Sequence, residues 1–272
     1  MTKRFLIVSS LIFLFFLTVS ATGAQNEDQF DFNRANEDYL YTYGTYRQTH
    51  NEYVTAREQF LTYQTLTAKT LALEQTLNML QKRDETLRTY LTALRMKMAE
   101  TTGISNYKQN THYLKLDAEV SWYVEHRDGL TSAGTLEDLV KLSEEAEDEH
   151  GKTEMLAYQA LGLILEGKEE HLKSQIEEQI NLIEEKIKEI KEKGDKDTTT
   201  AERWLLEAEN KLTRSEEKLT EATNLLESLK SSRGDKDKDY SEAQKLFSEA
   251  HLYLKEANGF LKELIREIKT AD

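Results

Sequence analysis

The sequence predicts an all-α protein: long antiparallel helices packed as two consecutive helical bundles, built from coiled-coil-like hairpins. Three observations carry that prediction. There is no proline among the 272 residues, against about 5% in average sequences. Proline strips a donor from the backbone and clashes with the preceding helical turn, so its absence points to helices joined by few, short connections. Apolar residues also recur at sevens through most of the chain, a spacing that places them on one helical face. Finally, charged residues supply 32% of the sequence and hydrophobic ones 38%, too apolar for a disordered tail and too polar for a membrane bundle.

Residues 1–24 read as an export signal. Lys3 and Arg4 precede the apolar run Phe5–Val19, and Val19-Ser20-Ala21 and Thr22-Gly23-Ala24 are both usable cleavage sites. The alternative is an uncleaved anchor, although the run falls short of the roughly 20 residues of a comfortable span.

Residues 30–167 form the expected amino-terminal long-helix bundle. A single helix from about Asn33 to Thr102, about 100 Å long, carries Tyr39, Tyr46, Tyr53 and Phe60, with Thr42, Thr49, Ala56 and Tyr63 between them. Leu73, Leu80, Leu87 and Leu94 continue the stripe after a one-residue slip near Thr65–Thr70, which either a slightly rewound helix absorbs, the reading favoured here, or a tight turn explains. Gly103 ends this helix, and Ser105 or Asn106 caps the next, which reaches about Arg127. Thr135 and Asp138 make a capping box with the shorter acid. Helical pattern then runs to Lys193, either unbroken or interrupted at Gly151. Met155–Leu165 is apolar nearly all round, which places it at the centre of the amino-terminal bundle.

Residues 168–272 form the expected carboxy-terminal three-helix bundle with an alanine/leucine heptad hairpin. Ile176, Ile180, Ile183, Ile187 and Ile190 make a seam. Thr199 and Glu202 read as a capping box after the loop Gly194-Asp195-Lys196-Asp197. The next helix sets Leu205, Leu212, Leu219 and Leu226 beside Ala201, Ala208, Ser215 and Ala222. After a second Gly-Asp-Lys-Asp turn, Phe247, Leu254, Leu261 and Ile268 alternate with Ala243, Ala250 and Ala257. The repetition reads as an internal duplication or convergence on one packing solution. A column of small residues lets two helices approach closely while the large column fills the flanking groove. Ala208, Leu212, Leu219, Ala250, Leu254 and Leu261 are the predicted helix-packing residues.

The chemistry is sparse. With no cysteine, thiolate zinc sites and thiol catalysis are excluded. A net charge of −14 argues against nucleic acid. Glu147 and His150 have di-iron spacing, but no second such pair exists. Asp235, Asp237 and Asp239 alternate like a calcium loop, yet Tyr240 and Leu246 hold its glycine and closing-glutamate positions. No hydrolase, nucleotide or zinc-protease motif is present, and neither a cofactor nor a metal is expected. Six of the 13 tyrosines fall between Tyr39 and Tyr63. Tyr41 and Tyr43 lie off the core stripe and are the expected partner contacts.

The expected function is therefore that of an exported, non-enzymatic helical scaffold or protein-interaction module. Its place would be periplasmic, cell-surface or secreted, and its partner a protein or envelope component or a further copy of itself. It would meet a membrane only through an uncleaved amino-terminal segment. The alternatives are a periplasmic holdase-like chaperone, or a glycan or ligand binder using the tyrosine-rich helix.

Overall fold

The computed structural model describes residues 30–194, 197–232 and 234–270; the predicted export signal lies outside the described residues. These form six α-helices and one 3₁₀ turn: α1 (Phe32–Tyr63), α2 (Leu66–Glu100), α3 (Asn106–Gly129), the turn Leu130–Ser132, α4 (Leu136–Lys193), α5 (Thr199–Glu227) and α6 (Lys236–Thr270). The fold is all-α. No helix among the described residues is long and apolar enough to cross a membrane.

The predicted single helix over residues 33–102 is instead the hairpin α1–α2. Gln64 takes a left-handed φ of 51° and donates its N–H to Phe60 O at 2.9 Å, closing α1. Thr65 then caps α2 by accepting from the Ala68 N–H. The slip in the heptad stripe is this turn. No glycine or proline marks it, because a two-residue connection needs only one residue that tolerates the left-handed region and one capping hydroxyl. The helices run antiparallel: the Phe32 N–H donates to Glu100 Oε1 at 2.8 Å, the Tyr39 and Tyr90 rings lie 5.2 Å apart, and the Thr42 and Thr89 hydroxyls meet at 2.7 Å. Small residues line the seam. Ala35, Thr49 and Ala56 are buried on α1, and Ala68, Ala72, Thr86 and Ala93 on α2.

Ser105 caps α3, which returns along α2 with Arg95 paired to Asp117 at 2.7 Å and Arg127 to Glu85 at 2.6 Å. The Thr135–Asp138 capping box forms in both directions and starts α4. That helix does not break at Gly151. It runs unbroken for 58 residues, about 87 Å at 1.5 Å per residue. A Cβ on Gly151 would stand 2.7 Å from the Ser231 carbonyl oxygen, so the glycine makes room for the α5–α6 connection instead of interrupting the helix. The apolar stretch of α4 is buried from Leu156 to Ala157 and Tyr158, and again from Ala160 to Ile164. Its contacts include the carboxy-terminal helices: Tyr158 stacks on Tyr240 at 4.7 Å, and Gly162 sits under Leu226.

Further along α4, Ile176, Ile180, Ile183 and Ile187 share one core with Ala201, Leu205, Ala208, Leu254, Ala257, Leu261 and Leu264. The α5–α6 hairpin is antiparallel, with Lys211 paired to Glu256 at 2.6 Å and Lys218 to Glu249 at 3.5 Å. Its small column, Ala208, Ser215, Ala222, Ala243, Ala250 and Ala257, is fully buried. Two local expectations are corrected here. Thr199 and Glu202 do not form a capping box, because the Asp197 carboxylate takes both the Thr199 N–H, at 2.9 Å, and its hydroxyl, at 2.6 Å. The second Gly-Asp-Lys-Asp segment is also only half turn. Helix α6 begins at Lys236, whose buried ammonium pairs with Glu154 at 3.0 Å and donates to the Ser231 carbonyl at 3.1 Å.

Candidate interaction surface

Two regions carry residues that the helical pattern alone does not explain. The first is a polar junction buried between α2, α3 and α4. Asp84 is fully buried. Its Oδ1 accepts from the Arg83 guanidinium at 3.1 and 3.2 Å, and its Oδ2 faces His126 Nδ1 at 2.5 Å. His126 Nε2 donates to the Leu142 carbonyl at 2.9 Å, and Trp122 stacks on the ring at 4.8 Å. Burial alone would lower the His126 pKa, but the hydrogen bond and charge of Asp84, with the Leu142 carbonyl, outweigh it and raise it. With acceptors on both ring nitrogens, the imidazolium is the form that satisfies both.

About two helical turns before His126 on α3, Glu119 is equally buried. It accepts from the Thr153 hydroxyl at 2.5 Å and pairs with Lys152 at 2.7 Å. Since Thr153 spends its proton on Glu119, Tyr123 is the donor in the 2.7 Å contact between their hydroxyls. Burial pushes the Glu119 carboxyl up against the pull of Lys152 and Thr153, and it raises Tyr123 as well. An Asp–His pair is a familiar catalytic unit, but here both His126 nitrogens are engaged inside the bundle. What this network does in the fold is lock three helices in register. The network is not legible in the sequence, because Arg83, Asp84, Glu119 and His126 are scattered polar residues that only tertiary packing brings together.

The second region is the tip of the α1–α2 hairpin. At its root, Tyr46, Met79 and Leu80 pack with Leu130 of the α3–α4 connection and Leu139 of the first turn of α4, with Tyr43, Tyr53, Leu73 and Leu77 against them. Beyond that connection, among the described residues, α1 and α2 pack only on each other, and of residues 54–73 only Ala56, Ala68 and Ala72 are buried. Leu66 continues the column of Leu73 and Leu80 and is 82% exposed. Phe60, one heptad past Tyr53, is only partly covered; Leu61 is 55% and Tyr63 69% exposed. The overhang is roughly 15 Å, from about ten residues per helix. Core-type columns thus run on past the point where anything covers them. Scattered single apolar residues are ordinary on a surface, but a contiguous group is a mark of contact.

Of the predicted contact residues, Tyr41 is 76% exposed. Tyr43 is half-buried against the root cluster, 6.0 Å from the Tyr39 ring. It lies next to the stripe and the root core is wide enough to take it in. Tyr63, placed on the core stripe, is exposed because the helix turns there. Burial raises the Tyr39 and Tyr46 hydroxyls to about 12, as expected of core phenols. Ala208, Ala250, Leu219, Leu254 and Leu261 are buried, and Leu212 packs against the carboxy-terminal core.

Two shallow depressions run along α5, bordered by residues such as Thr213, Glu217 and Arg214 of that helix alone. Among the described residues, no group of three or more histidine or acidic side chains is placed to hold a metal ion. No known protein family matches the sequence, and neither a curated protein nor a solved structure does.

Proposed function

We propose that this protein is a non-catalytic helical interaction module, exported through residues 1–24, whose contact element is the tip of the α1–α2 hairpin. The single observation that carries this reading is that Tyr63 and Leu66 stand open at the ends of columns that are core elsewhere, with Leu61 exposed beside them. The absence of sequence motifs for catalysis and the closed-off Asp84–His126 pair support a binding role. Tyr41, outward on the same helix, is a secondary contact. The holdase-like alternative uses the same tip, since exposed apolar side chains on a projecting arm also suit a non-native client.

The reading is tested by crosslinking the protein to its neighbours in the native host and comparing it with Leu61→Asp/Leu66→Asp. The double variant is expected to keep its helical content and lose the crosslinked partners. An unchanged partner set would overturn the assignment of the tip.

A further inference from the structure

We propose that the open face of the hairpin tip is closed by the tip of a second copy of this chain, two hairpins meeting antiparallel as a short four-helix bundle. This rests on the reading of the tip as a contact surface and names its occupant.

Charge favours a second copy. The chain carries a net charge of −14, so two copies repel wherever the acidic helices would meet. The hairpin end carries no such excess. From Arg47 to Glu74 the ionised side chains are Arg47, Arg57 and Lys69 against Glu52, Glu58 and Glu74, a balanced set. Apolar residues and neutral charge coincide there.

Packing favours it too. The α5–α6 hairpin has small residues at its seam and a large column beside it, of which Leu205, Leu212, Leu254 and Leu261 are covered by the isoleucines of α4. The tip repeats the arrangement, with Ala56, Ala68 and Ala72 at the seam and Phe60, Leu66 and Leu73 beside it, and among the described residues no third helix covers it. A two-fold axis lays such a face against its own copy, so one sequence supplies both sides. Two hairpins sharing one core make a four-helix bundle. The overhang is short, and a standard interface buries about 800 Å² per partner, so the dimer should be weak, with a Kd on the order of 10 μM.

Because the chain has no cysteine, a single introduced one reports directly on a neighbouring copy. Thr62→Cys and Thr67→Cys, both exposed beside the turn, are expected to give a covalent dimer with a short bismaleimide. Ser232→Cys, at the α5–α6 connection, is expected to give none. Sedimentation of the full chain should show a dimer that grows with concentration, and Leu61→Asp/Leu66→Asp should weaken it at least tenfold without loss of helicity. A chain still monomeric at about 100 μM overturns the proposal. So does a dimer that persists in the double variant, or one that crosslinks equally well through Ser232→Cys. If the chain is monomeric but host partners are still lost with the double variant, self-association alone falls. If those partners are also unchanged, the contact reading falls with it.

Discussion

The α1–α2 and α5–α6 hairpins solve the same problem with one design and reach different ends. Each brings two antiparallel helices together on a column of small residues: Ala35, Thr42, Thr49 and Ala56 on α1, and Ala201, Ala208, Ser215 and Ala222 on α5. Each sets a column of large residues four positions later. In α5–α6 Leu205, Leu212, Leu254 and Leu261 meet the isoleucine seam of α4 and Leu226 packs over Gly162, and Leu219, Leu254 and Leu261 are buried. In α1–α2 the same kind of column is covered at the root by Leu130 and Leu139 and left open beyond it. The heptad repeat specifies a face suited to burial. Whether the face is buried depends on how far the neighbouring helices reach.

The sharpest test of that contrast is a pair of truncations in equivalent columns. Leu261→Ala should cost about 2–5 kcal/mol, the range for a fully buried leucine, and lower the thermal midpoint clearly. Leu66→Ala should stay within about 0.5 kcal/mol of wild type. Circular-dichroism melts of the full chain decide it; equal losses would mean that the tip is covered after all.

A smaller effect tests the seam. Ala208→Leu inserts bulk where α5 has no space and should cost about 1–3 kcal/mol. Thr213→Leu, at an exposed position of the same helix, should change the same melt little. Equal midpoints for the two variants would show that the small column does not set the helix separation.

The smallest effect concerns the root, which the tip lacks. The His126 pKa is raised in the folded protein, so the stabilisation it gives is fully present below its ordinary value of about 6.5. It is lost as pH rises through the folded value. Burial lowers His112 and His150, so their charging opposes folding only on the acid side. The melting midpoint should therefore decline modestly above pH 6.5, and His126→Gln should flatten that decline. A wild-type profile already flat between pH 6.5 and 8.5 would rule out this role for the Asp84–His126 pair.

The helical class, the capping box at Thr135 and the alternating columns of α5 and α6 were legible in the sequence because each is local: one turn of helix, or one heptad, holds the whole signal. The sequence alone thus determined that this chain forms helices and which stripe of each is apolar. Tertiary structure alone decided the rest. It folded α1 back on α2 through Gln64, turned the glycines of α4 into points of close approach, and gathered Asp84, Glu119 and His126 into one buried junction. It also decided that Tyr43 is packed while Leu61, Tyr63 and Leu66 stand open. Apolar periodicity records that a face is fit for burial, whereas burial itself depends on where distant segments end. The α3–α4 connection ends short of the hairpin tip, and nothing in residues 54–73 encodes that.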